Sequence, residues 1–176
     1  MGTSSKIVVV TGAESTGKSE LTKWLAHKYK VPFIPEYARV YMETLGRKYN
    51  YSDVEIIARK QIAQLNSMKN THQPVIFVDT WLIITKIWFE VVFNLVPEWV
   101  EHELTNTNID LFLVCDIDLP WESDPVRENG GEMRSFLHNK YIKEIKKYKF
   151  KYKTVSGNSS LRFSNALKHL KQSGII

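Results

Sequence analysis

An eight-residue segment near the start of the chain constrains its fold more than any other feature. Residues 12–19 have the sequence GAESTGKS and satisfy every position of the pattern G-x-x-x-x-G-K-[ST]. An apolar, β-branched run at 6–11 precedes the segment, and residues 20–29 follow with apolar side chains at helical spacing. In this strand–loop–helix context the pattern forms a phosphate-binding loop, and a glycine turn without a ligand is the competing interpretation.

The chemistry of such a loop predicts a nucleoside triphosphate and its metal ion. Its glycines let the backbone point successive N–H groups at one spot, and the following helix adds the partial positive charge of its N-terminus. Lys18 adds a full charge, and Ser19 supplies the hydroxyl that these loops place on Mg²⁺. We therefore expect ATP and Mg²⁺ as cofactors. The predicted nucleotide-binding residues of this segment are Gly12, Ala13, Glu14, Ser15, Thr16, Gly17, Lys18, Ser19 and Glu20.

Length and composition favour one globular domain over residues 1–176. The chain has 176 residues, of which 43% are hydrophobic and 12% aromatic, enough for a sizeable core. No apolar stretch approaches the length of a membrane span, and the first six residues contain no apolar signal core, so we expect a cytoplasmic protein without a membrane partner. The single cysteine, Cys115, excludes an intrachain disulfide and predicts a buried thiol.

The net charge of +5 is concentrated towards the end of the chain. Residues 138–153 contain seven lysines and one acidic residue, Glu144. A nucleic-acid-binding stripe is one interpretation. The lysines alternate with apolar residues at helical spacing, however, which is typical of the solvated face of an amphipathic helix. We therefore do not expect a nucleic-acid partner, and we leave a homo-oligomer open.

The rest of the sequence predicts an α/β fold in which helices cover both faces of a five-stranded parallel sheet. Apolar runs alternate with stretches of helical period, and this alternation is typical of three-layer parallel sheets. The predicted strands are 6–11, 32–35, 75–79, 110–118 and 152–156. The predicted helices are 17–30, 36–47, 52–71, 81–95, 97–107, 131–149 and 158–173. Ser52 and Glu55 predict a capping box at the start of the third helix.

Ligands of such sheets bind beyond the carboxyl ends of the strands, so polar residues just after each strand are site candidates. Asp79 ends an apolar run, as a Mg²⁺-binding carboxylate does in phosphate-loop proteins, although a helix cap is the alternative. Glu36 follows the second strand and could instead be an ordinary first-turn glutamate. Gly157 and Asn158 follow the fifth strand and are predicted to contact the nucleotide.

A polar segment at about 121–136 predicts a lid over the nucleotide. It contains Arg127 and Arg134 on either side of paired glycines, and arginines on a closing loop can stabilise charge on a transferring phosphoryl group. Two solvated surface arginines are the alternative. Near the strand ends, Tyr37, Tyr41, Trp81 and Trp88 could stack on a flat ring or pack in the core.

Several segments together resemble the kinase domain of NadR-type ribosylnicotinamide kinases, in the same order and over nearly the whole chain. Besides the phosphate loop, they are VPFIPEYAR at 31–39, VDT at 78–80 leading into TKIW at 85–88, CDIDLPW at 115–121, DPVREN at 124–129 and VSG at 155–157. Ala13 departs from the pattern, because relatives commonly have Pro there. Since the loop starts at residue 12, we expect the kinase part without an adenylyltransferase or DNA-binding domain ahead of it.

The resemblance implies a phosphate-loop kinase of the nucleoside-kinase type that phosphorylates the 5′-hydroxyl of nicotinamide riboside in NAD salvage. It makes Lys18, Glu36, Asp79, Arg127 and Arg134 catalytic, with Glu36 the leading candidate for general base and Ser19 and Asp79 on the metal. The implied substrate-binding residues are Glu36, Tyr37, Arg39, Tyr41, Gln61, Asp79, Trp81 and Trp88. A kinase for another nucleoside or nucleotide, or a regulatory ATPase that uses the loop as a switch, remains an alternative.

Overall fold

The apolar runs form five strands of one parallel sheet in the computed structural model, which describes residues 5–176. The strands are β1 (Lys6–Thr11), β2 (Phe33–Ile34), β3 (Val75–Asp79), β4 (Leu111–Cys115) and β5 (Tyr152–Val155). Their order across the sheet is β2-β3-β1-β4-β5, which places β1 and its phosphate-binding motif in the centre. The first four residues, part of the segment predicted to lack a targeting signal, lie outside the described residues.

Within residues 5–176, seven helices connect or follow the strands. They are α1 (Lys18–Tyr29), α2 (Tyr37–Thr44), α3 (Tyr51–Lys69), α4 (Leu82–Phe93), α5 (Glu98–Asn106), α6 (Gly131–Lys147) and α7 (Ser159–Gln172). The predicted three-layer α/β fold is confirmed. The predicted capping box is wrong in its residues, because Asn50 accepts from the backbone N–H of Asp53 and the Asp53 carboxylate accepts from that of Asn50. None of the described helices is both long and apolar enough to cross a bilayer.

The sheet has a hydrophobic core on each of its faces. Ile7 and Val9 belong to the core shared with α3, α4, α5 and α6, whereas Val8 and Val10 belong to the core shared with α1 and α7. Both faces are therefore dry, which is why the strands are almost continuously apolar. Burial of each such side chain contributes on the order of 1.5–3 kcal/mol, so the two cores hold the strand ends in fixed positions.

The strand register brings three polar segments to one edge of the sheet. Val10 pairs with Asp79, and Ile34 pairs with Val78, so β1, β2 and β3 end at nearly the same level. The phosphate loop follows β1, Glu36 follows β2, and Asp79 is the last residue of β3. Thr80 then donates its backbone N–H to the carbonyl of Val10 at 2.9 Å, which fixes the exit of β3 beside the start of the loop.

Candidate active site

The phosphate loop between β1 and α1 is packed against the end of β4. Gly12 has φ +150°, and a Cβ at this position would lie 2.9 Å from both the Cys115 carbonyl oxygen and Thr16 Oγ1. Any other residue would therefore push the loop away from the sheet. Thr16 Oγ1 donates to the carbonyl of Ala13 at 2.8 Å, which ties the two arms of the loop together. The motif thus forms the compact turn that phosphate binding requires.

Arg134 supports this loop from behind, which corrects its predicted role as a mobile lid cation. Its side chain is buried on α6 and donates to the carbonyl oxygens of Glu14 at 2.9 Å, Ser15 at 3.0 Å and Leu119 at 2.8 Å. These three bonds occupy each guanidinium nitrogen. A guanidinium that holds loop carbonyls in this way leaves the loop's N–H groups for phosphate oxygens. Of the two predicted lid arginines, only Arg127 lines the cavity described below.

Lys18, Glu36 and Asp79 form a charged cluster at the base of the loop. Lys18 Nζ lies 3.8 Å from Glu36 Oε2, and the lysine side chain is only 13% exposed. Burial alone would lower the pKa of Lys18, but the carboxylates of Glu36 and Asp79 outweigh it and raise that pKa above its ordinary value. Lys18 is therefore a permanent cation at neutral pH, as binding of the β- and γ-phosphates requires.

Asp79 is a buried carboxyl group that ionises less readily than an aspartate in water. Burial and the neighbouring Glu36 raise its pKa to about 6, while the Lys18 cation and the nearby Ser19 hydroxyl act in the opposite direction. Its Oδ1 atom is buried without a hydrogen-bond partner in the described structure. An orphaned carboxylate oxygen beside a serine hydroxyl fits a Mg²⁺ ion held together with nucleotide phosphates. No cluster of three or more His, Cys, Asp or Glu within residues 5–176 forms a metal site by itself.

A cavity of about 700 Å³ extends from the phosphate loop to helices α2 and α4. Its walls come from the loop, the first turn of α1, α2, α4, the segment 119–129 and the start of α6. Many of the predicted site residues line it, namely Gly12, Glu14, Ser15, Thr16, Gly17, Lys18, Ser19, Glu20, Glu36, Arg39, Gln61, Trp88 and Arg127. The structure therefore joins the predicted phosphate site and the predicted acceptor site in one space.

The far end of this cavity combines aromatic rings with one fixed amide. The rings of Tyr49 and Trp88 meet edge to face, with centroids 4.9 Å apart. Thr85 donates its hydroxyl to Gln61 Oε1 at 2.7 Å, and both side chains are buried. That bond occupies the amide oxygen and leaves the amide nitrogen of Gln61 as a donor. A flat ring that carries a hydrogen-bond acceptor would match this end of the cavity.

The predicted lid is a loop at 121–130 that lies across the phosphate loop, and its last predicted part, 131–136, is already helix α6. Asp124 Oδ2 is 3.0 Å from both Arg39 Nη1 on α2 and Arg127 Nε. Ser15 Oγ accepts from the backbone N–H of Glu122 at 3.0 Å. These contacts connect the lid to the acceptor side through α2 and to the nucleotide side through the phosphate loop.

Several predicted site residues lie away from the cavity lining. Trp81 is 1% exposed and packs in the core at the start of α4, so it is not a wall of the acceptor pocket. Tyr41 donates its hydroxyl to Asp53 at 2.8 Å, and Tyr37 packs against Tyr41 on the same side of α2. On α2, residues 38, 39 and 42 line the cavity instead. The presence of an aromatic residue near a strand end therefore does not show that its side chain lines the cavity, because the sequence does not tell which face of the helix points there.

Gly157 and Asn158 lie in the loop between β5 and α7, outside the cavity lining. The N–H of Gly157 donates to Asp118, which also pairs with the buried Arg162. Ala13 is buried and would contact a nucleotide only through its backbone. The nucleotide contacts of these residues stay predictions.

Sequence reasoning missed Tyr49, Thr85 and Tyr141, which also line the cavity. Tyr49 lies in the loop between α2 and α3, where no periodic pattern marks its direction. The spacing of Ile84, Trp88 and Val91 on α4 could have indicated the helix face that carries Trp88, because residues at i, i+4 and i+7 share a face.

Comparison with known proteins identifies the family of the chain. The sequence profile of the AAA domain family matches residues 7–162, which include the phosphate loop and the lid. The chain belongs to this family. The match extends from β1 to the start of α7, so it covers all the elements that form the candidate site.

Two characterised relatives of the chain are trifunctional NAD biosynthesis/regulator proteins. The trifunctional NAD biosynthesis/regulator protein NadR of Salmonella typhimurium is 25% identical over 146 residues, covering 80% of this chain and 36% of the relative. NadR of Escherichia coli is 26% identical over 132 residues, covering 73% and 32%. The chain thus spans about a third of the length of these relatives. The resemblance to NadR expected from the motifs is confirmed.

Solved structures show the same fold. A crystal structure of NadR protein in complex with NR has a TM-score of 0.78 and 21% identity, covering 96% of this chain and 50% of that one. Deoxyadenosine kinase from M. mycoides has a TM-score of 0.64 and 17% identity, and the alignment covers 96% of this chain and 99% of that one. The fold is therefore that of the phosphate-loop nucleoside kinases.

Proposed function

We propose that the protein is an ATP-dependent kinase that phosphorylates the 5′-hydroxyl of nicotinamide riboside and produces nicotinamide mononucleotide for NAD salvage. One observation carries the proposal. A phosphate loop, two carboxylates and an aromatic pocket with a fixed amide donor line or adjoin one cavity of about 700 Å³. Such a space can hold a triphosphate at one end and a nucleoside at the other.

At the phosphate end, the chain supplies charge and positioning. Lys18 and the loop backbone bind the triphosphate, and Arg127 at the cavity wall neutralises charge on the transferring group. Ser19 and Asp79 would hold Mg²⁺, which supplies neutralisation of the phosphate oxygens when bound. These interactions strengthen as charge develops in the transition state, so they lower the barrier more than they tighten binding.

Glu36 is the general base of the proposed reaction. It borders the cavity and lies 3.8 Å from Lys18, so it is next to the expected position of the γ-phosphate. The acceptor oxygen bonds to the γ-phosphorus, the bond to the β–γ bridging oxygen breaks, and the hydroxyl proton passes to Glu36. The competing assignment gives the proton to Asp79 and leaves Glu36 to bind ribose hydroxyls.

The aromatic end fits the nicotinamide group. The pyridinium ring of nicotinamide riboside is flat and cationic, and aromatic faces such as those of Trp88 and Tyr49 attract such a cation. The amide nitrogen that Thr85 leaves free on Gln61 can donate to the carboxamide oxygen. Arg39, which also lines the cavity, is paired with Asp124 of the lid.

The similarity to NadR supports this assignment. Both curated relatives act in NAD biosynthesis, and the NadR structure was solved in complex with NR. We propose only the kinase step for this chain, because it matches about a third of each relative. A cytoplasmic location and a small-molecule partner are part of the same proposal.

The proposal is tested by ADP formation from Mg·ATP across a panel of nucleosides that includes nicotinamide riboside, adenosine, deoxyadenosine, cytidine and thymidine. We expect nicotinamide riboside to give the highest kcat/KM. A higher kcat/KM for another nucleoside would support the kinase activity but assign a different acceptor. Stabilisation by ATP with no acceptor-dependent turnover for any nucleoside would favour a regulatory ATPase instead.

A further inference from the structure

One carboxylate of the phosphate loop is fully engaged by the lid. Glu14 Oε2 accepts from Trp121 Nε1 at 3.3 Å and from the backbone N–H of Asn129 at 3.0 Å. Its Oε1 accepts from the backbone N–H of Glu128 at 3.2 Å and from Asn129 Nδ2 at 3.0 Å. Glu14 thus gathers four donors from three positions of the 121–130 loop. Hydrogen bonds to an ionised group are among the strongest that a side chain makes.

The lid is closely packed around this carboxylate. A Cβ at Gly130 would lie 3.2 Å from two ring atoms of Trp121, so the loop folds tightly over the indole. The neighbouring Ser15 also accepts from the backbone of Glu122. Two sequential residues of the phosphate loop therefore bind both ends of the lid loop.

The charge of Glu14 disfavours an orientation of its carboxylate towards the nucleotide. A carboxylate in a phosphate-binding loop would repel the triphosphate if it turned inwards. The four lid donors satisfy the carboxylate without the nucleotide, and the carboxylate would have only water as a partner if the lid opened. The side chain is therefore suited to holding the lid and not to binding phosphate.

We propose that Glu14 is a positioning residue that holds the 121–130 lid closed over the phosphate loop, so that the phosphoryl group reaches the bound acceptor and not water. This inference rests on the proposed kinase function for the transfer step. When water replaces the acceptor, its oxygen bonds to the γ-phosphorus, the bond to ADP breaks, and inorganic phosphate and a proton are released. A lid that opens more often admits water and increases this side reaction.

The test compares Glu14→Gln with Glu132→Gln, which removes the same charge from an exposed residue of α6 outside the described cavity lining. Glutamine keeps the size of Glu14 but turns an NH₂ group towards two of the donors. We expect the ratio of acceptor-independent ATP hydrolysis to acceptor-dependent transfer to rise about tenfold in Glu14→Gln, the scale of losing a hydrogen bond to a charged group. Glu132→Gln should keep the wild-type ratio.

Limited trypsin digestion gives a second readout that needs no acceptor. Cleavage after Arg127, identified by mass spectrometry, should be about tenfold faster in Glu14→Gln than in wild type and Glu132→Gln. Trp121→Phe keeps a ring against Gly130 but removes one donor to Glu14, so it should accelerate cleavage less. Trp121→Phe therefore provides an independent test of the lid contact if Glu14→Gln folds poorly.

The outcomes separate this inference from the proposed function. Unchanged cleavage and an unchanged hydrolysis-to-transfer ratio in both Glu14→Gln and Trp121→Phe would overturn the positioning role, even if nicotinamide riboside is a good substrate. Failure of the wild type to phosphorylate any nucleoside would overturn the proposed function. In that case the digestion alone decides whether Glu14 holds the lid.

Discussion

Replacement of Asp79 by Asn should stabilise the fold while it abolishes turnover. The pKa of this buried carboxyl is raised from 3.8 to about 6, so the folded protein holds its proton more tightly than the unfolded chain does. Between about pH 4 and pH 6 the free energy of unfolding therefore falls as pH rises, because the folded state carries more bound protons. Well above pH 6 the carboxylate is ionised in both states, and the full loss of unfolding free energy caused by its burial is present.

The size of this destabilisation follows from the rise in the pKa of Asp79. About two pKa units at roughly 1.4 kcal/mol each give an upper value of about 3 kcal/mol, and we expect about 1–3 kcal/mol at pH 8. For a chain of this length that corresponds to a rise in Tm of roughly 3–10 °C in Asp79→Asn. Turnover should be lost, because the variant has no carboxylate for the metal or for a proton.

Urea unfolding of wild type and Asp79→Asn between pH 4.5 and pH 8 measures this effect. The difference between the two proteins should be small at the lowest pH, grow up to pH 6 and stay constant above it. Asp53→Asn is the control of opposite sign, because the Arg47 guanidinium holds the pKa of Asp53 well below its usual range. A variant that is no more stable than wild type at pH 8, or a difference that does not depend on pH, would refute this reasoning.

Four further substitutions test individual roles. Lys18→Ala should abolish turnover and ATP binding while circular dichroism still shows a folded protein; activity near the wild-type level would refute the phosphate-loop assignment. Glu36→Gln should lower kcat by roughly 10² to 10⁴ with little change in the KM for the nucleoside, and a raised KM with unchanged kcat would exchange its role with that of Asp79. Arg127→Ala should lower kcat by about tenfold or more, whereas Arg134→Lys should mainly raise the KM for ATP and lower Tm; equal effects on kcat alone would contradict their separate roles.

The fold was largely predictable because its strands are buried on both faces. Runs such as 75–78 and 111–115 are apolar throughout and are each followed directly by an aspartate, so their existence and their order follow from the sequence. The cap of α3 was not predictable in the same way. Ser52 and Asn50 are both good capping residues, and the bidentate pair with Arg47 orients the Asp53 carboxylate that completes the capping box with Asn50.

The site residues were predictable where a motif or a strand end fixes the position of the backbone. They were less predictable where the orientation of a side chain depends on the rotation of its helix. The strand ends bring Lys18, Glu36 and Asp79 together, as expected from the parallel sheet. Arg134 lies on α6, and Trp81 directly precedes α4. The sequence does not determine the rotation of either helix about its axis. Both side chains turned out to be buried, one against loop carbonyls and the other in the core.

The most direct test of the proposed function is the identification of the reaction product. The purified protein is incubated with Mg·ATP and nicotinamide riboside, and the mixture is resolved by liquid chromatography with mass detection. We predict nicotinamide mononucleotide and ADP in equal amounts, with the phosphate on the 5′-oxygen, and no product with Lys18→Ala. Absence of nicotinamide mononucleotide from a folded protein that binds ATP would contradict the proposed function.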